Sequence, residues 1–112
     1  MNHENAVASL AELGNNHRLA AFRLLVQSGA EGATVGEIQE HLNLPASTLS
    51  HHLSRMSHVG LISQERLGRR IVCRPNYSHF EDLIQYLRDE CCQGLPQRKK
   101  DGVTCKGILD HC

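Results

Sequence analysis

The sequence predicts a mainly α-helical fold with one small β-hairpin. Three observations carry that expectation. A short helix, a proline break and a second amphipathic helix lie between Thr34 and Val59. Two strand-like runs meet at Gly68-Arg69, and an apolar seam at helical spacing follows from Phe80 onward. At 112 residues the chain is expected to form one domain with a modest core, built on Leu, Ile, Val and Ala because there are only two Phe, two Tyr and no Trp.

Ala6–Leu13 is a short helix candidate, with Val7, Leu10 and Leu13 on one side, Gly14 as its stop and a frayed Met1–Asn5 before it. Asn15 or Asn16 can cap the next helix, which places Leu19, Phe22, Leu25 and Val26 inward and ends at Ser28-Gly29. Thr34-Val35-Gly36-Glu37 has capping-box spacing and opens a helix with Val35, Ile38 and Leu42 on one face. Asn43-Leu44-Pro45 breaks it, because proline disfavours helix in the residue before it while suiting the first turn of the next. The helix from Pro45 to Val59 has a narrow apolar seam of Leu49, Leu53 and Met56. Its other side carries Ser47, His51, Ser54, Arg55 and His58. Gly60 closes it. Leu61–Leu67 and Arg70–Arg74 then read as a hairpin with a basic tip, ended by Pro75-Asn76. The last helix, capped by Asn76 or Ser78, aligns Phe80, Leu83, Ile84, Leu87 and Cys91 and stops at Gly94 and Pro96. Residues 1–96 are thus expected to be the folded domain. Residues 97–112, polar and cysteine-containing, are expected to be a flexible tail.

Net charge is zero, which excludes a uniformly basic nucleic-acid coat, but the charge is segregated. Met1–Ala46 carries two Arg against five Glu, Ser47–Pro75 five Arg against one Glu, and the remainder five basic against six acidic groups. All the excess positive charge falls on the second helix of the pair and the hairpin. A helix-turn-helix followed by a basic-tipped hairpin is a winged helix. Its second helix can present Ser47, Thr48, Ser50, His51 and Arg55 to base edges in a major groove. Arg69 and Arg70, with Arg66 and Arg74 nearby, can reach phosphate or the minor groove. Double-stranded DNA is the expected partner. The competing reading is a helical domain whose polar faces are merely solvated.

No run approaches the roughly 20 apolar residues of a membrane span, and no charged-then-apolar leader opens the chain. A cytoplasmic location without membrane contact is expected.

From about Asn16 to Cys92 the sequence resembles the ArsR/SmtB family of metal- and metalloid-responsive repressors. The matching parts are HRLAAFRLLVQSG, TVGEIQEHLNLPASTLSHHLSRMSHVGLI and ERLGRRIVC. The spacing L-x-x-S-x-x-S-x-H-L followed by G-L-I is the more specific feature. The resemblance implies a homodimer through the terminal helices, bound to a palindromic operator until an effector releases it. Members that sense metalloid on the helix before the recognition helix carry Cys-x-Cys there, and this chain has Thr34-Val35-Gly36-Glu37. Another, arsenic-responsive branch has an adjacent cysteine pair, a Gly and a Pro at the end of the last helix. Asp89-Glu90-Cys91-Cys92-Gln93-Gly94-Leu95-Pro96 is similar to it. The third cysteine of that branch is expected near Arg98, where there is none; Cys105 or Cys112 can take its place.

The chemistry of the pair also follows from the residues. Trivalent arsenic is soft and prefers thiolate sulfur, commonly three in a pyramid. Consecutive residues on a helix point about 100° apart, so both sulfurs can address one ion only where the helix frays. Cys91, Cys92 and Cys105 are therefore the candidate ligands, with arsenite or a trivalent organoarsenical as effector. Organoarsenicals already carry a bond to carbon, so two sulfurs suffice for them. Zinc or cadmium, with a fourth ligand from His111 or Cys112, is an alternative effector. So is oxidation of Cys91 or Cys92 to a bond with Cys105 or Cys112. Cys91 also falls on the expected apolar seam, where packing alone would account for it. Cys73 reads as a small buried hydrophobe. A thiol enzyme is disfavoured, since there is no C-x-x-C and no βαβ pattern.

Overall fold

A computed structural model describes residues 1–96; Cys105, Cys112 and the whole 97–112 segment lie outside the described residues. The elements run α1 (His3–Leu13), α2 (Asn16–Ser28), a 3-10 turn (Gly29–Glu31), β1 (Ala33–Thr34), α3 (Val35–Leu42), α4 (Ala46–His58), β2 (Ile62–Leu67), β3 (Arg70–Pro75) and α5 (Tyr77–Arg88). The mainly helical architecture with a small hairpin is as expected, and each helix boundary has a local cause.

Asn2 accepts from the Asn5 amide and starts α1 at His3, so the segment expected to fray is the first turn of a helix. Asn15, not Asn16, caps α2 by accepting from the amides of His17 and Arg18. Thr34 and Glu37 complete the capping box in both directions, at 3.1 and 2.9 Å. Between α3 and α4 the chain turns through Asn43, in the left-handed region at φ 54°, and Pro45 then fixes the entry to α4. Asn76 caps α5.

The core gathers Phe22 and Leu25 of α2, Ile38 of α3, Leu49, Leu53 and Met56 of α4, Leu61, Ile62 and Cys73. Cys73 is fully buried, as its reading as a small hydrophobe requires, and burial pushes its thiol up to about 11.

β2 and β3 pair antiparallel from Ile62↔Pro75 to Leu67↔Arg70, leaving Gly68-Arg69 as a two-residue turn. Gly68 sits at φ 64°, which suits a type II′ hairpin with glycine first. The hairpin is not isolated. Ala33 and Thr34 form a short third strand on β3. Two residues are too few to show alternation. Gly32 makes that pairing possible, because at φ 72° a Cβ there would collide with the Cys73 carbonyl.

Three apolar assignments change. On α1 the buried positions are Ala6, Ser9 and Glu12, while Val7 and Leu10 are exposed. Leu19 is likewise exposed. On α5 only Leu83 is buried, and the helix ends at Arg88, so Cys91 is an exposed residue beyond the seam rather than a packed one.

Candidate nucleic-acid interface

The helical period divides α4 cleanly. Leu49, Leu53 and Met56 are at most 1% exposed, so the helix is anchored along one line. Ser47, Ser50, His51, Ser54, Arg55 and His58 are exposed on the opposite side, and Thr48 is half-buried at its margin. The hydroxyls, imidazoles and guanidinium therefore share a surface offering hydrogen-bond donors and acceptors of the kind that base edges take. His52 turns away from it. The His52 Nδ1 lies 3.3 Å from Arg18 Nη1, and the ring is held below its ordinary pKa, chiefly by burial and then by Arg18.

At the hairpin tip Arg66, Arg69 and Arg70 are exposed, and among the described residues none of them makes an ion pair. Arg74 differs. Its Nη1 donates to Glu65 at 3.0 Å and its Nε to the Ala30 carbonyl at 3.2 Å, which binds the hairpin to the turn after α2. The tip thus presents three guanidinium groups, and the fourth is occupied internally.

Arg55 also reaches across to α1. Its Nε and Nη2 donate to Oε2 and Oε1 of Glu12, both at 2.9 Å, in a side-on bidentate pair. Glu12 is buried on α1 and also receives Arg18, whose Nε lies 3.2 Å from Oε2 and 2.6 Å from the Glu12 carbonyl. The hydrogen bonds from Arg55 hold the Glu12 carboxyl below its ordinary value, against the opposing effect of burial. The spacing Ala6, Ser9, Glu12 was the available signal, since small and polar residues at that period mark an inward face when the apolar ones mark an outward face.

Cys91 and Cys92 follow α5 in a chain of tight turns. Glu90 and Cys92 are both left-handed, at φ 61° and 63°, and the Cys91 amide donates to Arg88. The two sulfurs are 3.1 Å apart. In a continued helix they would diverge by about 100°, so the left-handed turn is what brings them together. Among the described residues no cluster of three or more His, Cys, Asp or Glu is close enough to hold a metal ion. Cys105 lies outside that region.

A family profile described as a helix-turn-helix domain matches residues 13–65, which span α2 through most of β2. The HTH-type transcriptional regulator YgaV of Escherichia coli (strain K12) is 33% identical over 89 residues, covering 80% of this chain and 88% of that protein. The chain belongs to the helix-turn-helix transcriptional regulators. Two solved structures share the fold. The ArsR family transcriptional regulator RHA00566 has a TM-score of 0.67 at 21% identity, covering 78% of this chain and 87% of that one. The homodimeric winged helix-turn-helix DNA-binding domain Mb0332 from Mycobacterium bovis has a TM-score of 0.63 at 20% identity, covering 85% of each. The relatives are transcriptional regulators and not enzymes, so the thiol-enzyme reading falls away. No described helix is long and apolar enough to cross a membrane.

Proposed function

We propose that this regulator is a repressor that sits as a homodimer on palindromic operator DNA and releases it when a trivalent arsenical binds Cys91 and Cys92. The observation that carries the effector half is the sulfur pair beyond α5, 3.1 Å apart, with Cys91 exposed and Cys92 half-buried. With both sulfurs reduced to thiolates, one soft ion with sulfur bonds of about 2.3 Å, as zinc has, can bridge two sulfurs at that separation. Soft trivalent arsenic takes such ligands in preference to oxygen or nitrogen. Cys105 remains the proposed third ligand for arsenite, whereas an organoarsenical needs only the pair.

Support for the dimer comes from exposed apolar residues on the two terminal helices, Val7 and Leu10 on α1 and Leu87 on α5. The two helices are tied to each other, with Ser9 Oγ 2.7 Å from His79 Nε2 and His3 Nδ1 2.8 Å from the Tyr86 hydroxyl. A ligand at the end of α5 therefore acts on the element that would set the spacing of two α4 helices. Half-sites lie about 34–36 Å apart, and a small rotation of one subunit misregisters the second helix. Emptying the operator takes a preference of about 5 kcal/mol for the released state.

Anisotropy of a labelled operator, titrated with arsenite and with phenylarsenite, tests the reading. Release is expected with wild type and not with the variant carrying Cys91→Ser and Cys92→Ser. Release that persists in that variant refutes it. Release by peroxide or by zinc, but by neither arsenical, transfers the role to oxidation or to a divalent metal.

A further inference from the structure

We infer that Glu12, on a helix outside the helix-turn-helix, is a positioning residue for base recognition, holding Arg55 so that one chosen edge of its guanidinium meets a guanine. The inference rests on the DNA-binding reading above and goes beyond it. A guanidinium has two edges that can make paired hydrogen bonds, Nε/Nη2 and Nη1/Nη2. Glu12 takes the first, at 2.9 Å on each bond, and leaves the second. That second edge still presents two parallel donors, the set that pairs with the O6 and N7 acceptors of guanine in the major groove. The Arg55 side chain remains 49% exposed while Glu12 holds its Nε/Nη2 edge.

The carboxylate is itself immobilised. Its side chain is 10% exposed, and Arg18 approaches Oε2 at 3.2 Å from α2 while binding the Glu12 carbonyl through the same nitrogen. Three helices therefore meet at one ion cluster: α1 supplies the anion, α2 a fixed cation and α4 the reading cation. An arginine free at that position would spend side-chain entropy on docking, whereas one already clamped has spent it in folding. Glu12 also lowers the positive charge near α4, and this separates the inference from a purely structural ion pair. Removing its charge should harm recognition of the right sequence while favouring contact with any DNA. Loss of a merely structural tie would weaken both.

The test uses the full chain and an operator selected from random duplexes by wild type, with a scrambled duplex of equal length for comparison. In Glu12→Gln, the ratio of affinities for the selected and scrambled duplexes should fall about tenfold, within the discrimination that one bidentate arginine–guanine pair supplies. Affinity for the scrambled duplex should hold or rise. Arg55→Gln should lower the ratio similarly, and the double variant no further, because the two residues act as one unit. Glu12→Asp keeps the charge but withdraws the carboxylate, and should lower the ratio without raising scrambled binding. Unchanged ratios in Glu12→Gln, equal weakening on both duplexes, or losses that multiply in the double variant overturn the inference. A wild-type chain that enriches no sequence refutes the DNA-binding reading itself and removes the ground for this one.

Discussion

Arg69 is the sharpest probe of the division of labour between hairpin and helix. It sits at the two-residue tip between β2 and β3, exposed and without an ion pair among the described residues. Truncation to Ala should cost the fold little, since the side chain is exposed at the turn. On a palindrome the change removes two cations from phosphate, one per subunit. Each neutralised phosphate contributes about 0.9 to the slope of log affinity against log salt, so the slope should become shallower by about 1.8. From about 50 to 200 mM salt, wild type should then lose roughly twelvefold more affinity than Arg69→Ala does. Anisotropy titrations at four salt concentrations measure this directly, on selected and scrambled duplexes alike. Arg74→Ala is the internal control, because that guanidinium is already engaged by Glu65 and the Ala30 carbonyl. An unchanged slope in Arg69→Ala, or an equal change in Arg74→Ala, would refute the assignment of the tip to phosphate.

Other outcomes follow from burial and charge. Leu53, 1% exposed and central on α4, should cost about 2–5 kcal/mol when cut to Ala, read as a fall in the urea midpoint at unchanged m-value. The Cys73 thiol, pushed up to about 11 by burial, should resist a disulfide reagent at pH 8 in the folded protein and react once urea unfolds it. Glu12 titrates below its ordinary value of 4.5 in the folded state, so its contribution is present above that value and lost as pH falls through the lower folded one. Circular dichroism should show wild type more stable than Glu12→Gln near neutrality, with the two curves converging in acid.

The helix-turn-helix was legible because its signals are local. Thr34 and Glu37, the Asn43-Leu44-Pro45 break and the Leu49, Leu53, Met56 seam each act within a few residues, and the structure keeps all three. The hairpin was legible for the same reason, since Gly68 marks its own turn. What the sequence hid depends on partners far along the chain. Val7 and Leu10 were expected inward because they are apolar, yet Ala6, Ser9 and Glu12 are the buried positions, with Ser9 meeting His79 and Glu12 meeting Arg18 and Arg55. Period alone does not say which of two faces meets the body. Likewise Cys91 continued the α5 seam by spacing, but the helix stops at Arg88 and the chain turns left-handed at Glu90. The spacing located the sulfur pair and misjudged its surroundings.

Hydroxyl-radical footprinting of the selected operator, with and without arsenite, joins both halves of the account in one measurement. Wild type should protect two half-sites about one helical turn, or a multiple of it, apart, as two α4 helices in successive major grooves require. Arsenite should erase both together, and the variant with Cys91→Ser and Cys92→Ser should keep them in its presence. Protection without paired half-sites would contradict the reading of α4. Paired protection that arsenite leaves intact on wild type, or erases equally from the cysteine variant, would contradict the role given to Cys91 and Cys92.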